Sequence, residues 1–510
     1  MKALQAIFDN IRDEYKAEIM IQEILYDFNE DELIHFDLLM KENQNYFQDE
    51  KNEFPIANQL VMASYYRPSK TKIFSLISKM INNLFTYQKP FSSVLFEASV
   101  KFLKNIKNFP KISPIIFFIR GLFDQSLIDI NDILTFLMTI TSENDFRDII
   151  FITFVLFCPE IENYDIDSFD MLYNIIEDMS FAQTSDDEYQ VEDDCTFIHP
   201  YRAFITKFRE LRKNDYFLLR QSIDYETMFD NTLTKELKND NVEYLQNLIS
   251  NPSFNINQKI TKSVFEPNDF INNGCNLLEC CAYLGSSKCF KCLLLQHAII
   301  NYHLYIYAFV GGNVEIIHLI EQQTNISQKY KDATKKTNLF PCSLHYTALY
   351  HRNSIFTWLY ESKNQSLFDY DDSGISIIGC CAISNNIELL TFLLESGLIY
   401  VNYPDFKSDK SALIHACENG SYEVCKILLS RKSCKINFPH YSPIHAALKN
   451  NHFHIVQLLC GRKEIDFNVV DSHGSTPLHL AIANNDLDTV LMLLNKNIDI
   501  NKKNQVLIAY

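Results

Sequence analysis

A unit of about thirty-three residues recurs through the second half of this chain, and that period restricts the fold more than any other feature. Near the C-terminus, "TPLHLAIANNDLDTVLMLL" begins a unit at Thr476. Thirty-four residues upstream (476 − 442) stands "SPIHAALKNNHFHIVQLL", where Ser442, Pro443, Ile444, His445 and Ala447 match Thr476, Pro477, Leu478, His479 and Ala481. Further copies begin at Ser411 and Ser376, looser ones at Cys342, His303 and Asn276, and a degenerate first unit at Asn231. A unit this short cannot bury a core alone. Neighbours must therefore stack and share one apolar seam.

Each recurrent position has a physical reason. The unit opens on Ser376, Ser411, Ser442 or Thr476, hydroxyls suited to capping the free N–H groups of a first helix. Pro443 and Pro477 follow at the first helical position, where a missing N–H costs nothing. Small residues (Ala308, Ala416, Ala447, Ala481) allow close helix packing. Nine positions after the opening residue stand Gly285, Gly312, Asn385, Gly420, Asn451 and Asn485, the types that tolerate a left-handed turn most readily. His351 breaks that rule, so the Cys342 unit is expected to be distorted there. Asn257, Asn402, Asn437, Asn468 and Asn501 recur about twenty-six positions on, suited to bonding backbone in the turn toward the next unit.

A period near thirty-three with a T-P-L-H-x-A opening resembles the ankyrin repeat. The resemblance covers residues 231–503 in about seven or eight units and is clearest over 371–503. It implies an all-α solenoid of helix-turn-helix units joined by short hairpin turns. The "DDSG" at 371–374 and the "DSHG" at 471–474 would then sit at hairpin tips. A helical leader followed by such units is also similar to large, divergent ankyrin families of some protists.

The first half is built differently. Only Gly121 of the 11 glycines precedes residue 274; prolines 55, 68, 90, 110, 114 and 159 instead divide segments of helical length. "TKIFSLISKMINNLFTY" (71–87) has apolar residues at helical spacing. Residues 1–200 are expected to form an α-helical domain and 201–230 a helical connector, with 504–510 a tail. The acidic run 185–194 reads as a solvated loop, since it lacks the spaced ligands of a calcium site.

A formal net charge of −18 argues against a nucleic-acid backbone as partner. The apolar run Ile149–Cys158 ends at Pro159, too short to span a bilayer, and the charged N-terminus lacks the pattern of a signal peptide. Fourteen cysteines without a disulfide framework suit a reducing, cytoplasmic setting. Cys289 and Cys292, with Cys275, Cys280 and Cys281 nearby, invite a zinc reading. Their register places Cys289 and Cys292 where other units carry core aliphatics, so no metal is expected.

No nucleophile, phosphate loop or metalloprotease motif is present, and no catalytic residue or cofactor is expected. His445 and His479 read as structural ties between units. The expected function is a protein-binding scaffold or adaptor, with Phe406, Lys407, His440, Tyr441, Ser472 and His473 as partner contacts at hairpin tips. Two alternatives are an enzyme or regulatory subunit with its site in the helical leader, and a solenoid with no selective partner.

Overall fold

The computed structural model describes residues 15, 18, 19, 21, 22, 26, 43 and 47, then 53–66, 91–105, 109–141 and 146–182. It also describes 208, 212, 213 and 216, and 232–503 except for 261–268, 273, 302, 323–341, 364, 409, 439–441, 485 and 497. The expected helix at 71–87, the acidic run 185–194, Asn485 and the tail lie outside these residues. The chain is all-α. No strand occurs among the described residues, only two isolated bridges, Lys259 with Asn276 and Tyr370 with Ser376.

Two compact units divide the chain: residues 1–63 with 323–510, and residues 64–322. In the leader, α1 (Glu53–Tyr66), α2 (Phe91–Asn105), α3 (Phe109–Asp124), α4 (Ile130–Ile140), α5 (Arg147–Tyr164) and α6 (Ile166–Ala182) follow in order. Helix α5 is the hub of the 64–322 unit's leader, because it packs against α3, α4 and α6. Its residues from Ile149 to Pro159 are all buried. That continuous apolar run therefore feeds a helix surrounded on every side, which explains why it shows no polar face. Arg120 of α3 reaches Leu156 O (2.8 Å) and the Glu160 carboxylate (2.8 Å), tying α3 to α5.

The prolines divide helices only in part as expected. Pro55 and Pro110 fall in the first turns of α1 and α3, where a missing N–H has no partner to lose, whereas Pro114 and Pro159 do not end theirs. Pro114 and Pro159 lie inside α3 and α5, and α5 continues to Tyr164. Burial of the surrounding apolar surface outweighs one lost backbone bond.

The repeats follow as helix pairs. In the 64–322 unit these are α7 (Thr232–Lys238) with α8 (Val242–Ile249), α9 (Leu277–Leu284) with α10 (Ser287–Leu295), and α11 (Leu304–Gly311) with α12 (Val314–Gln322). First helices pack on first helices (α7 on α9, α9 on α11) and second on second. At Gly311 an added Cβ would come within 2.3 Å of Ala282 O, so only glycine permits that approach of α11 to α9.

In the other unit the pairs are α13 (Ser343–Leu349) with α14 (Asn353–Lys363), α15 (Ile377–Ile383) with α16 (Ile387–Glu395), and α17 (Ala412–Asn419) with α18 (Tyr422–Ser430). Then come α19 (Pro443–Lys449) with α20 (Phe453–Cys460) and α21 (Pro477–Ala483) with α22 (Leu487–Leu494). The seam runs through α13, α15, α17, α19 and α21 in sequence.

Residues from the N-terminal segment pack on this second series. The Gln22 side chain bridges Asn385 O (Nε2 donates, 2.5 Å) and Ile387 N–H (Oε1 accepts, 3.2 Å). Asn58 donates to Gly420 O at 2.7 Å, Tyr26 stacks on His351 at 3.6 Å and Phe54 on His454 at 4.4 Å. All four contacts fall at or just after the turn between first and second helix, in four successive repeats. Ile19, Ile21, Ile56 and Leu60 are buried alongside.

Candidate partner-binding surface

The surface is built by caps and turns that the unit repeats. Ser376, Ser411 and Thr476 accept from the backbone N–H groups of Gly379, Ile414 and His479. Ser442 departs from this: its hydroxyl meets His445 Nδ1 at 2.8 Å. His445 Nε2 then donates to Ser475 O in the next repeat at 3.0 Å, so the ring is held as a neutral tie, and burial holds its pKa below the ordinary value. Among the described residues His479 is tied within its own unit, to Thr476. A different arrangement replaces this tie at His415, whose Nε2 meets Asp405 Oδ2 at 2.6 Å. Burial opposes ionisation of Asp405, yet His415, the Ser376 N–H and Ser408 together hold its pKa below the usual carboxylate value.

The left-handed turns stand where expected. Gly285, Gly312, Asn385, Gly420 and Asn451 have φ of 75, 80, 57, 76 and 55°. His351 keeps the turn too, at φ 54°, and the distortion of its unit lies instead at Cys342, which has φ 61° and makes no side-chain cap. The His351 ring meets Ser384 O at 2.8 Å, and that bond with the Tyr26 stack compensates for an unusual residue in this conformation. Asp240 occupies the same position in the first unit at φ 51°.

The recurrent asparagines form a ladder between loops. Asn402 donates to Ser433 O (2.7 Å) and accepts from Lys435 N–H (2.8 Å). Asn437 does the same with Glu464 O (2.7 Å) and Asp466 N–H (3.0 Å), and Asn468 accepts from Asp499 N–H (2.7 Å). Asn402 and Asn437 thus each satisfy a donor and an acceptor of the following repeat, and Asn468 satisfies a donor, fixing the spacing of the hairpins.

These are the features of one repeat family. The family profile for ankyrin repeats (3 copies) matches residues 344–440 and 432–504. Residues 344–504 are ankyrin repeats. An ankyrin repeat protein of fowlpox virus (strain NVSL) is 38% identical over 93 residues, 18% of this chain and 22% of that protein. The human transient receptor potential cation channel subfamily A member 1 is 24% identical over 203 residues, 38% of this chain and 18% of the channel. The chain thus spans only about a fifth of the length of either relative.

On the ankyrin hairpins, Asp371 and Asp471 build matching tips. Each Oδ1 accepts two backbone N–H groups, from Ser373 (2.9 Å) and Ile375 (2.7 Å), and from His473 (2.9 Å) and Ser475 (2.9 Å). Gly374 and Gly474 close these turns at φ 84 and 73°. Ser472 and His473 are exposed on one tip, and Lys407 is exposed on another. Phe406 is 73% exposed. His440 and Tyr441 lie outside the described residues.

Phe406 is not alone. Its ring lies 5.6 Å from Tyr370, which stacks on Tyr403 at 5.8 Å, and Tyr403 meets Phe368 edge-on at 5.6 Å. The sequence reading missed the last three. Phe368 and Tyr403 stand at the same register, eight residues ahead of Ser376 and Ser411, and that coincidence was the available signal.

Chemical readings find little support from geometry. Cys280, Cys281, Cys289 and Cys292 are buried, and desolvation with the Asp240 charge pushes Cys289 up to about 12. No group of three or more metal-binding side chains is gathered among the described residues. Every cysteine among them is a free thiol.

Proposed function

We propose that this protein is a non-catalytic adaptor that grips another protein through the hairpin tips of its ankyrin units. Ankyrin repeats generally mediate protein–protein interaction, and no helix among the described residues is long and apolar enough to cross a membrane. One observation carries the reading. The tips present exposed side chains such as Phe406, Lys407, Ser472 and His473 on backbone held rigid by buried or turn-bound aspartates, so binding there loses little conformational entropy. His440 and Tyr441 complete the proposed contact set. The free thiols of the described cysteines support a reducing, cytoplasmic compartment.

The test is quantitative capture from native extract with the wild-type chain and a variant carrying alanine at all six positions. Loss of specific partners at equal bait folding supports the reading. Identical partners at identical yield would remove it.

A further inference from the structure

Scattered exposed apolar side chains are ordinary on protein surfaces, but four aromatic rings in mutual contact on two adjacent hairpins are not. Phe368, Tyr403, Tyr370 and Phe406 form a continuous row, with Phe368 49% and Phe406 73% exposed. The row is anchored from below. Phe406 N–H donates to Gly374 O (2.9 Å) and Tyr403 OH donates to Phe368 O (3.0 Å), so the backbones of the two tips are fastened together.

The borders of the row carry negative charge. Asp369 lies between Phe368 and Tyr370 in sequence, Asp371 and Asp372 follow directly, and both Asp369 and Asp372 are exposed. Lys407 is the cation at this place, and its ammonium is directed to Asp372 O at 3.4 Å. Three carboxylates against one ammonium leave the patch acidic, as the whole chain is. The tip at Ser472 and His473 has no phenylalanine, tyrosine or tryptophan between Asn468 and Thr476.

Aromatic faces attract cations through their quadrupole, and a planar guanidinium can stack on a ring while its edge pairs with a carboxylate. An ammonium offers no flat face, and a phosphate or a nucleic-acid backbone would meet repulsion from the aspartates. We infer that the row Phe368–Tyr403–Tyr370–Phe406, bordered by Asp369 and Asp372, is the seat for arginine side chains on an extended segment of the partner protein. The inference rests on the proposed role of the hairpin tips and specifies the chemistry they recognise.

The probe is a fluorescein-labelled peptide of three Gly-Ser-Arg units, titrated with the full chain at physiological salt and followed by fluorescence anisotropy. Replacing arginine by citrulline, which keeps shape and loses charge, is expected to weaken binding at least tenfold, and replacing it by lysine at least threefold. Phe368→Ala with Phe406→Ala removes two exposed rings and no charge; at least fivefold weaker binding is expected. Asp369→Asn with Asp372→Asn is expected to act as strongly, whereas Glu464→Gln with Asp488→Asn, an equal charge change elsewhere, leaves affinity within twofold. Circular dichroism and urea midpoints establish that each variant is folded, and Phe406→Ala alone serves if the double variant is not.

Absence of binding, retention of affinity in the ring variants, or equal loss in the two charge variants would overturn the inference. If the peptide fails while alanine at the six contact positions still abolishes partner capture, the arginine chemistry is wrong and the tip surface stands. If both fail, the adaptor reading falls with it.

Discussion

Glu423 makes the energetics of the C-terminal repeats depend on pH. It lies in the first turn of α18, 5% exposed, where Oε2 accepts from Asn385 Nδ2 at 2.7 Å and Oε1 has no hydrogen-bond partner. Gln59 stands close enough to favour the charged form slightly, but its amide atoms fall short of hydrogen-bond geometry. The charge of the buried Glu18 also disfavours ionisation of Glu423, while the Lys426 charge favours that of Glu18. Desolvation dominates and pushes Glu423 up to about 7, and burial raises Glu18 as well.

The sign follows from which state holds the proton more tightly. An unfolded glutamate titrates near 4.3, so the folded protein binds the proton more strongly across the interval up to about 7. The contribution to stability is full below the unfolded value and is lost as pH rises through the folded one. At about 1.36 kcal/mol per pH unit the ceiling is roughly 4 kcal/mol. Glu423→Gln keeps the shape and the acceptor for Asn385 while removing the titration. It is expected to match wild type within about 1 kcal/mol at pH 5 and to exceed it by about 2–3 kcal/mol at pH 8.5. Urea unfolding followed through the single tryptophan, Trp358 of α14 in the same unit, measures both. Parallel stability–pH curves for the two proteins would refute the argument.

Two further changes probe the turns and the loop ladder. Gly420→Ala must place a Cβ at φ 76° and 2.8 Å from His452 Cε1; a loss of about 1–3 kcal/mol is expected, read from urea midpoints at pH 7. Asn437→Ala leaves Glu464 O and Asp466 N–H without their partner; about 1–2 kcal/mol is expected, with amide exchange at Asp466 accelerated ahead of the helices.

Much of the repeat was legible because its determinants are local. A serine or threonine cap, a proline in the first turn and a glycine or asparagine at a left-handed turn each act within a few residues, so Ser376, Pro477 and Gly420 announce their roles without tertiary information. Asp240 and His351 were not legible at the same turn. Their conformation is held by surroundings, in the case of His351 by Ser384 O and the Tyr26 ring. Phe406 is marked in the sequence as a hairpin-tip residue, whereas nothing in the repeat pattern singles out Tyr370 and Tyr403, whose rings are brought together by the adjacency of the hairpins. The docking of Gln22 and Asn58 left no trace in the pattern, since those residues belong to no period and meet partners far along the chain.

That last distance governs how the protein is made. Gln22 leaves the ribosome 363 residues before Asn385. At about 5–20 residues per second, roughly twenty to seventy seconds of synthesis separate the two. Throughout that interval the buried Gln22 has no Asn385 to meet, and Ile19, Ile21, Ile56 and Leu60, buried in the finished protein, are already made. A polypeptide whose later turns complete the burial of its earliest residues needs something to shield those side chains in the meantime, and slow codons before residue 385 would lengthen the exposure.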